Sequence, residues 1–373
     1  MMDQTTAGFP PSQIQSVGIL GCGTMGKGIA LANVRAGLSV KLFDINKTVA
    51  EQTVETIRRD LQSPTLPRAH AASGSTPSLI SLAATEKEIG ESDLIIETVP
   101  EDETLKKTIL TQLDPHLRED SIVATNTSSI PITQLAGVLT DPTRMCGLHF
   151  CHPVHDRPLV EVVETKFTTP KTMRQALAYV QTLGKAPLRI ADSPGFLLNR
   201  LLVPYLNEAL ELLLKGAEPD ILDQAARSFG MPIGPLRQLD EYGLDVALAV
   251  GKTLYRAFPD RIFPSELLIA MYKAGRLGRK SGQGFYDWSA TPDNNPTTLV
   301  QQTLDLIQKR RRTTETFSME TVSRRLWQSI SFEAARICDE QLVDGPERID
   351  QALVDGLGMT PMFQGLLTYA TAS

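Results

Sequence analysis

The sequence has few cysteines, and its one long apolar stretch is interrupted by charge. Its four cysteines are too few and too scattered for a disulfide framework, which suits a reducing cytoplasm. The most apolar stretch, residues 196–214, contains an arginine, two glutamates and two asparagines, so it predicts a buried helix rather than a membrane span. Residues 1–14 lack both an apolar signal core and the arginines of a transit peptide. We therefore expect a short flexible lead-in and a cytoplasmic location.

An excess of positive charge is also missing. The chain has 37 lysines and arginines against 43 aspartates and glutamates, a net charge of −6. Such a chain has no general attraction to nucleic acid or to an anionic membrane, and we expect neither as a partner. A phosphate-bearing ligand must then be held locally, by helix N-termini, backbone N–H groups and a few cations.

The first half of the chain alternates strand-like and helix-like segments. Helical patterns cover residues 47–61 and 105–113, and residues 63–78 form a Pro/Ser-rich loop or insert. This alternation predicts a Rossmann-type α/β domain over residues 15–192, with a doubly wound parallel sheet. The strand-like apolar runs are residues 17–20, 39–43, 93–99, 121–125 and 145–150.

The remaining chain predicts an all-α region. A helix start is expected at residues 193–195, with serine as cap and proline at the first helical position. One helical domain follows over residues 193–288, and residues 289–297 have the composition of a linker. Residues 298–373 then predict a second, shorter helical copy.

A weak internal repeat relates the two helical segments. Asn207-Glu208-Ala209 resembles Phe332-Glu333-Ala334, and Gly230-Met231 resembles Gly358-Met359. Chance similarity between helices is one explanation. Because the landmarks keep one order and an offset of about 125 to 128 residues, we favour duplication. The apolar positions of the second copy would then dock on the first as an internal pseudo-dimer.

A glycine-rich turn predicts a dinucleotide site. Gly21-Cys22-Gly23-Thr24-Met25-Gly26 follows an apolar run and opens a helix-compatible segment. In such a turn Gly21 permits the tight bend, Gly23 lets a diphosphate approach, and Gly26 lets helix and strand pack closely. Asp44 ends the next strand, where a carboxylate accepts the ribose hydroxyls and repels a 2′-phosphate. We therefore expect NAD rather than NADP.

Three of the five histidines cluster at residues 149–155. One reading is a metal site that includes Cys151, but the ligand spacing is incomplete and we expect no metal. Solvated loop histidines are a second reading. The third pairs His149, at a strand end, with Glu161, whose apolar neighbours would bury an otherwise costly carboxylate. His149 would then be the base that accepts a hydroxyl proton while hydride leaves for NAD.

At this point the residues resemble a known family, the L-3-hydroxyacyl-CoA dehydrogenases, and especially the dehydrogenase half of multifunctional fatty-acid oxidation proteins. The resemblance runs from about residue 15 to the C-terminus. It rests on the combination GILGCGTMGKGIA, DLIIETVPEDETLKK, ATNTSSIPIT, GLHFCHPVHDRPLVEVV, DSPGFLLNRLLVPYLNEAL, GMPIGPLRQLDEYGLD and GRLGRKSGQGFYDW.

The resemblance implies roles for single residues. It makes His149 the base and Glu161 its partner, and it places Ser128 and Asn199 on the substrate's hydroxyl and thioester carbonyl. The cofactor would be lined by Thr24, Met25, Glu101, Lys106, His152 and Lys280, together with the glycines and Asp44. Two departures stand out: His152 replaces the family's asparagine, and residues 63–78 replace a charged CoA-binding arm.

The implied function is NAD-dependent oxidation of L-3-hydroxyacyl-CoA, or the reverse reduction, in fatty-acid metabolism by β-oxidation. The partners would be the acyl-CoA substrate and, beyond the internal pseudo-dimer, a second copy or other β-oxidation enzymes. Two alternatives stay open: a dehydrogenase of a free hydroxy acid, such as a sugar acid or carnitine-like molecule, and a non-catalytic NAD-binding subunit. Retention of a base argues against the latter.

Overall fold

The computed structural model describes residues 12–62, 79–289, 298–313 and 315–360. Most of the expected lead-in, the Pro/Ser-rich segment 63–78, most of the linker and the last 13 residues of the expected second copy lie outside these ranges. The chain divides into two compact units, Met1–Phe196 and Leu197–Ser373.

The first unit is built on a mostly parallel sheet, which confirms the expected Rossmann-type fold. Within the described residues its eight strands follow the order β3-β2-β1-β4-β5-β6-β7-β8, and only the β6–β7 pair is antiparallel. The strands are β1 (Ser16–Leu20), β2 (Ser39–Phe43), β3 (Ile80–Leu82), β4 (Leu94–Glu97), β5 (Ile122–Thr125), β6 (Met145–Phe150), β7 (Leu159–Glu164) and β8 (Ala186–Ala191).

The sequence pattern missed three of these strands. β7 was noted only as the apolar surroundings of Glu161, and β3 and β8 were missed for local reasons. β3 is three residues long and directly follows the stretch 63–78. β8 lies at the sheet edge, where only alternate side chains are buried, and it contains a proline and an arginine. Its signal is therefore weaker than that of the central strands, whose continuous apolar runs are buried on both faces.

Six α-helices are described in this unit. The side chain of Asp102 accepts a hydrogen bond from the amide of Leu105 at 2.8 Å, so α4 begins at Glu103, earlier than its apolar periodicity indicates. The helices are α1 (Thr24–Arg35), α2 (Lys47–Gln62), α3 (Glu86–Gly90), α4 (Glu103–Leu113), α5 (Ile132–Ala136) and α6 (Pro170–Thr182).

The second unit is helical in its described part. Its helices are α7 (Leu198–Lys215), α8 (Pro219–Ser228), α9 (Pro235–Tyr242), α10 (Leu244–Ala257), α11 (Glu266–Lys273), α12 (Gln301–Arg310), α13 (Met319–Asp339) and α14 (Glu347–Gln351). The helix start expected at residues 193–195 is wrong. Gly195 and Phe196 have φ values of 74° and 55°, which a right-handed helix excludes, so α7 begins at Leu198. No helix in the described ranges is both long and apolar enough to span a membrane.

The ends of α7 and α13 share one backbone pattern. After α7 the amides of Gly216 and Ala217 bond to carbonyls three and five residues earlier, and after α13 those of Gln341 and Leu342 do the same. Gly216 and Gln341 both have a positive φ, 118° and 54°, and 341 is 125 residues beyond 216. The two helix ends thus follow the offset of the sequence repeat.

Helix α13 packs against α7 and α8 within this unit. Its buried face follows a spacing of three or four residues, as an amphipathic helix requires. The apolar residues of that face are Val322, Leu326, Ile330, Ala334 and Ile337, each no more than 1% exposed.

Candidate functional site

The turn between β1 and α1 has the backbone that a diphosphate site needs. Gly21 has a φ of 98°, and a Cβ on Gly26 would lie 2.0 Å from the Gly21 carbonyl oxygen, so both positions require glycine. Apart from its chain neighbours, no described atom lies within 4 Å of a Cβ built on Gly23. The backbone is therefore open at Gly23. Thr24, which begins α1, is exposed, and Met25 is half-buried.

The N-terminus of α1 and Asp44 complete this region. Among the described residues no side chain caps α1, so its first amides are free to bind an anion. Asp44 follows β2 and holds the turn: its carboxylate accepts from the amides of Cys22 and Asn46, each at 2.8 Å. The residues present thus fit a dinucleotide, with room at Gly23, amides at the helix end and a carboxylate beside them.

A carboxylate organises the loop after β5. Oε1 of Glu101 accepts from the hydroxyl of Thr127 at 2.6 Å and from the amides of Ser128 and Ser129 at 3.0 and 3.1 Å. The hydroxyls of both serines lie 3.1 Å from the same oxygen. The sequence-predicted residues Glu101 and Ser128 are therefore in direct contact, and Glu101 orients the loop that carries Ser128.

Lys106 lies beside Glu101 in a buried ion pair. Its Nζ is 2.8 Å from Oε1 of Glu97 and 3.6 Å from Oε2 of Glu101, and both Lys106 and Glu97 are at most 1% exposed. Burial acts to raise the pKa of Glu101. Lys106 and the loop hydrogen bonds outweigh it and hold the pKa below its ordinary value. Glu101 is therefore ionised at neutral pH and remains an acceptor.

His149 and Glu161 form the pair that the sequence predicts. They face each other across the antiparallel β6–β7 ladder, and Nδ1 of His149 is 2.5 Å from Oε2 of Glu161. Glu161 is fully buried and the side chain of His149 is 12% exposed. The ring of Phe196 packs 5.7 Å from the imidazole. Because Glu161 engages Nδ1, the other ring nitrogen, Nε2, is the one left to exchange a proton.

The loop after His149 shows no metal-site geometry. Across the described ranges, no group of three or more His, Cys, Asp or Glu side chains is arranged to hold a metal ion. Burial, and then Glu161, raise the pKa of the Cys151 thiol above its ordinary value, which keeps it neutral. His152 is exposed, and Nε2 of His155 lies 3.3 Å from Asp156.

The other two sequence-predicted residues, Asn199 and Lys280, belong to the second unit. Asn199 is half-buried in the first turn of α7, next to the buried Arg200. Nζ of Lys280 lies 2.5 Å from Oδ1 of Asp245, in an ion pair at the start of α10.

Sequence reasoning missed three residues that shape these contacts. The carboxylate of Glu97 accepts hydrogen bonds from Nζ of Lys106 and from the hydroxyl of Thr125, the latter at 2.6 Å. The side-chain oxygen of Asn126 accepts from the amide of Phe150, the residue after His149, at 2.9 Å. A glutamate at the end of a continuously apolar strand was a usable signal, because a buried charge needs a partner. The contact of Phe196 with His149 had no such signal.

Comparison with known proteins identifies both units. The model of the 3-hydroxyacyl-CoA dehydrogenase NAD-binding domain matches residues 16–193, and the model of the C-terminal domain of the same enzymes matches residues 195–288. Together these matches cover well over half of the chain.

Three solved structures are similar to this chain. (S)-3-hydroxybutyryl-CoA dehydrogenase PaaH1 from Ralstonia eutropha shares 39% identity over 73% of this chain and 98% of its own, with a TM-score of 0.68. FadB2 of M. tuberculosis shares 35% identity over 74% and 99%, with a TM-score of 0.68. 3-Hydroxybutyryl-CoA dehydrogenase from Escherichia coli K12 shares 25% identity over 96% and 92%, with a TM-score of 0.81.

Proposed function

The chain belongs to the 3-hydroxyacyl-CoA dehydrogenase family and is an NAD-dependent oxidoreductase, and from this premise we propose that it interconverts L-3-hydroxyacyl-CoA and 3-oxoacyl-CoA in fatty-acid metabolism. The observation that carries this proposal is the 2.5 Å contact between His149 and the buried Glu161, in the unit that holds the glycine-rich turn. Two similar structures are named 3-hydroxybutyryl-CoA dehydrogenases, which supports a CoA thioester of this type.

In this mechanism His149 is the general base. NAD, when bound, accepts the hydride from the carbon that carries the hydroxyl. Nε2 of His149 takes the hydroxyl proton, and the contact of Nδ1 with Glu161 stabilises the resulting imidazolium. In the reverse direction the same nitrogen gives the proton to the oxygen of the 3-oxo group, which becomes the hydroxyl.

The remaining proposed roles divide between substrate and cofactor. Ser128 and Asn199 bind the hydroxyl and the thioester carbonyl, with Ser128 oriented by Glu101. Asp44 receives the ribose, and the free amides at the start of α1 receive the diphosphate. The full proposed cofactor set is Gly21, Gly23, Thr24, Met25, Gly26, Asp44, Glu101, Lys106, His152 and Lys280.

A substrate panel tests the proposed function. L-3-Hydroxyacyl-CoA thioesters of increasing chain length are compared with the matching free 3-hydroxy acids and with carnitine, and NADH formation is followed by absorbance. We expect turnover of the thioesters and kcat/KM for the free acids lower by at least about a hundredfold. Comparable turnover of the free acids would favour the alternative of a free hydroxy-acid dehydrogenase. No turnover of any compound would favour the non-catalytic alternative.

Changing Asp44 should relax the preference for NAD over NADP. In Asp44→Ser we expect the ratio of kcat/KM for NAD to that for NADP to fall by about tenfold or more, because a charge that repels the 2′-phosphate is gone. Asp44→Asn separates the loss of charge from the loss of the hydrogen bond, since it removes the charge but keeps an oxygen that can accept from the amide of Cys22. A wild-type enzyme that uses both cofactors equally would contradict this role.

For the assembly we propose an internal pseudo-dimer of the two helical copies, residues 193–288 and 298–373. Two ion pairs between α7 and α13 support it: Arg200 bonds Glu333, and Arg325 bonds Glu208, each with a 2.5 Å contact. Residues 200 and 325, like 208 and 333, are 125 apart. Reciprocal contacts of this kind are the mark of a two-fold interface.

A further inference from the structure

The two reciprocal ion pairs are unequal in their surroundings. Arg200 is fully buried and Glu333 is 2% exposed, whereas the side chains of Arg325 and Glu208 are 28% and 24% exposed. Burial raises the pKa of Glu208 above its ordinary value, against the effect of Arg325. Of the two ion pairs, the one between Arg200 and Glu333 is therefore the more deeply buried.

The environment of Arg200 fixes its guanidinium on several sides. Its Nε and Nη2 donate to Oε1 of Glu333, and its Nη1 lies 2.5 Å from Oε2 of Glu340. The guanidinium also lies over the ring of Phe258 at 4.7 Å, and Arg261 donates to Glu340 at 2.6 Å. Both carboxylates belong to α13 or its C-cap, so the second copy supplies the charges that hold Arg200.

The sequence next to the two arginines differs in a way that matches this asymmetry. Asn199 precedes Arg200 in the first turn of α7, whereas the residue 125 positions later is Arg324. The asparagine that we propose to bind the thioester carbonyl is therefore present in one copy only. The firmly held arginine adjoins Asn199, and the loosely held one adjoins Arg324.

From this geometry we propose that Glu333, with Glu340, is a positioning residue for the active site, acting through Arg200 on the backbone that carries Asn199. The second helical copy then helps to position a residue of the substrate site within the same chain. This inference rests on the proposed role of Asn199. Glu333 and Glu340 together bind three donor nitrogens of the buried guanidinium, which sets its position and direction. A shift of about 1 Å at a reacting group is enough to lower a rate by about a hundredfold.

The test compares Glu333→Gln with the matched control Glu208→Gln in the full-length chain. We expect kcat/KM for an L-3-hydroxyacyl-CoA to fall by about tenfold to a hundredfold in Glu333→Gln and to stay within about twofold in Glu208→Gln. The Kd for NAD should be unchanged in both, and circular dichroism gives the folded fraction by which the rates are normalised. Equal losses in the two variants, or no loss in folded Glu333→Gln, would overturn the proposal.

A double-mutant cycle separates positioning from a general loss of stability. If Glu333 acts through Asn199, Glu333→Gln should cost little further activity in an Asn199→Ala background. An undiminished loss in that background would overturn the proposal. Should Glu333→Gln not fold, Glu340→Gln replaces it, because Glu340 is 35% exposed and contacts the same guanidinium. A wild-type enzyme without hydroxyacyl-CoA turnover would instead refute the proposed function.

Discussion

Replacing His149 with glutamine should lower kcat by about 10²–10⁴-fold while the affinity for NAD stays nearly intact. The variant keeps a polar side chain of similar size on β6 but has no nitrogen that can accept the hydroxyl proton. The glycine-rich turn and Asp44 lie on β1, α1 and the end of β2, and their hydrogen bonds do not involve His149. Steady-state kinetics with an L-3-hydroxyacyl-CoA, together with titration of NAD, give the two quantities.

Two further variants define what this loss means. Glu161→Gln should cost less than His149→Gln, because it keeps an acceptor for Nδ1 and removes only the negative charge beside the ring. His155→Gln is the matched control: its side chain is 57% exposed and pairs with Asp156, and we expect normal turnover. Near-normal turnover in the His149 variant would exclude it as the base.

Deleting the chain after Asn295 should cause self-association or insolubility, with loss of activity. The deletion removes α13, whose buried face packs on α7 and α8, and it uncovers an apolar surface of the kind that drives self-association. It also removes Glu333 and Glu340, the two carboxylates that pair with Arg200. Sedimentation and NADH formation, measured on the soluble fraction, report the outcome.

A point substitution distinguishes lost packing from lost length. Leu326→Asp retains the full length of the chain but places a carboxylate on the buried face of α13. We expect it to reduce solubility and activity in the same direction as the deletion. The idea of an internal pseudo-dimer would be wrong if the truncated chain stayed monomeric, soluble and fully active.

Several features of the fold and site were predictable because their signals are local. The glycine spacing and Asp44 specify a turn whose chemistry depends on a few consecutive residues, and the turn has the expected backbone. Apolar runs bounded by turn residues revealed the central strands. The pairing of His149 with Glu161 was also predictable. The histidine ends an apolar run, and a glutamate buried among apolar residues is costly unless it has a partner.

What only the tertiary structure decided depends on which distant segments meet. The ion pair of Lys106 with Glu97, the contact of Glu101 with Ser128, and the ring of Phe196 beside His149 join residues whose neighbours in sequence do not specify these partners. The ion pairs of Arg200 with Glu333 and of Arg325 with Glu208 could not be predicted from the sequence for the same reason.

By itself the sequence determined a Rossmann-type unit with a dinucleotide turn, an all-α continuation and the candidate proton-transfer pair. Periodicity, turn chemistry and buried charge are properties of short segments, so they can be read along the chain. The tertiary structure decided where α7 begins, which carboxylates pair with Arg200, and that the ion pairs of Arg200 and Arg325 differ in burial. The physical reason is that a buried charge requires a partner but does not specify which one. That choice is made by the packing of elements far apart in sequence.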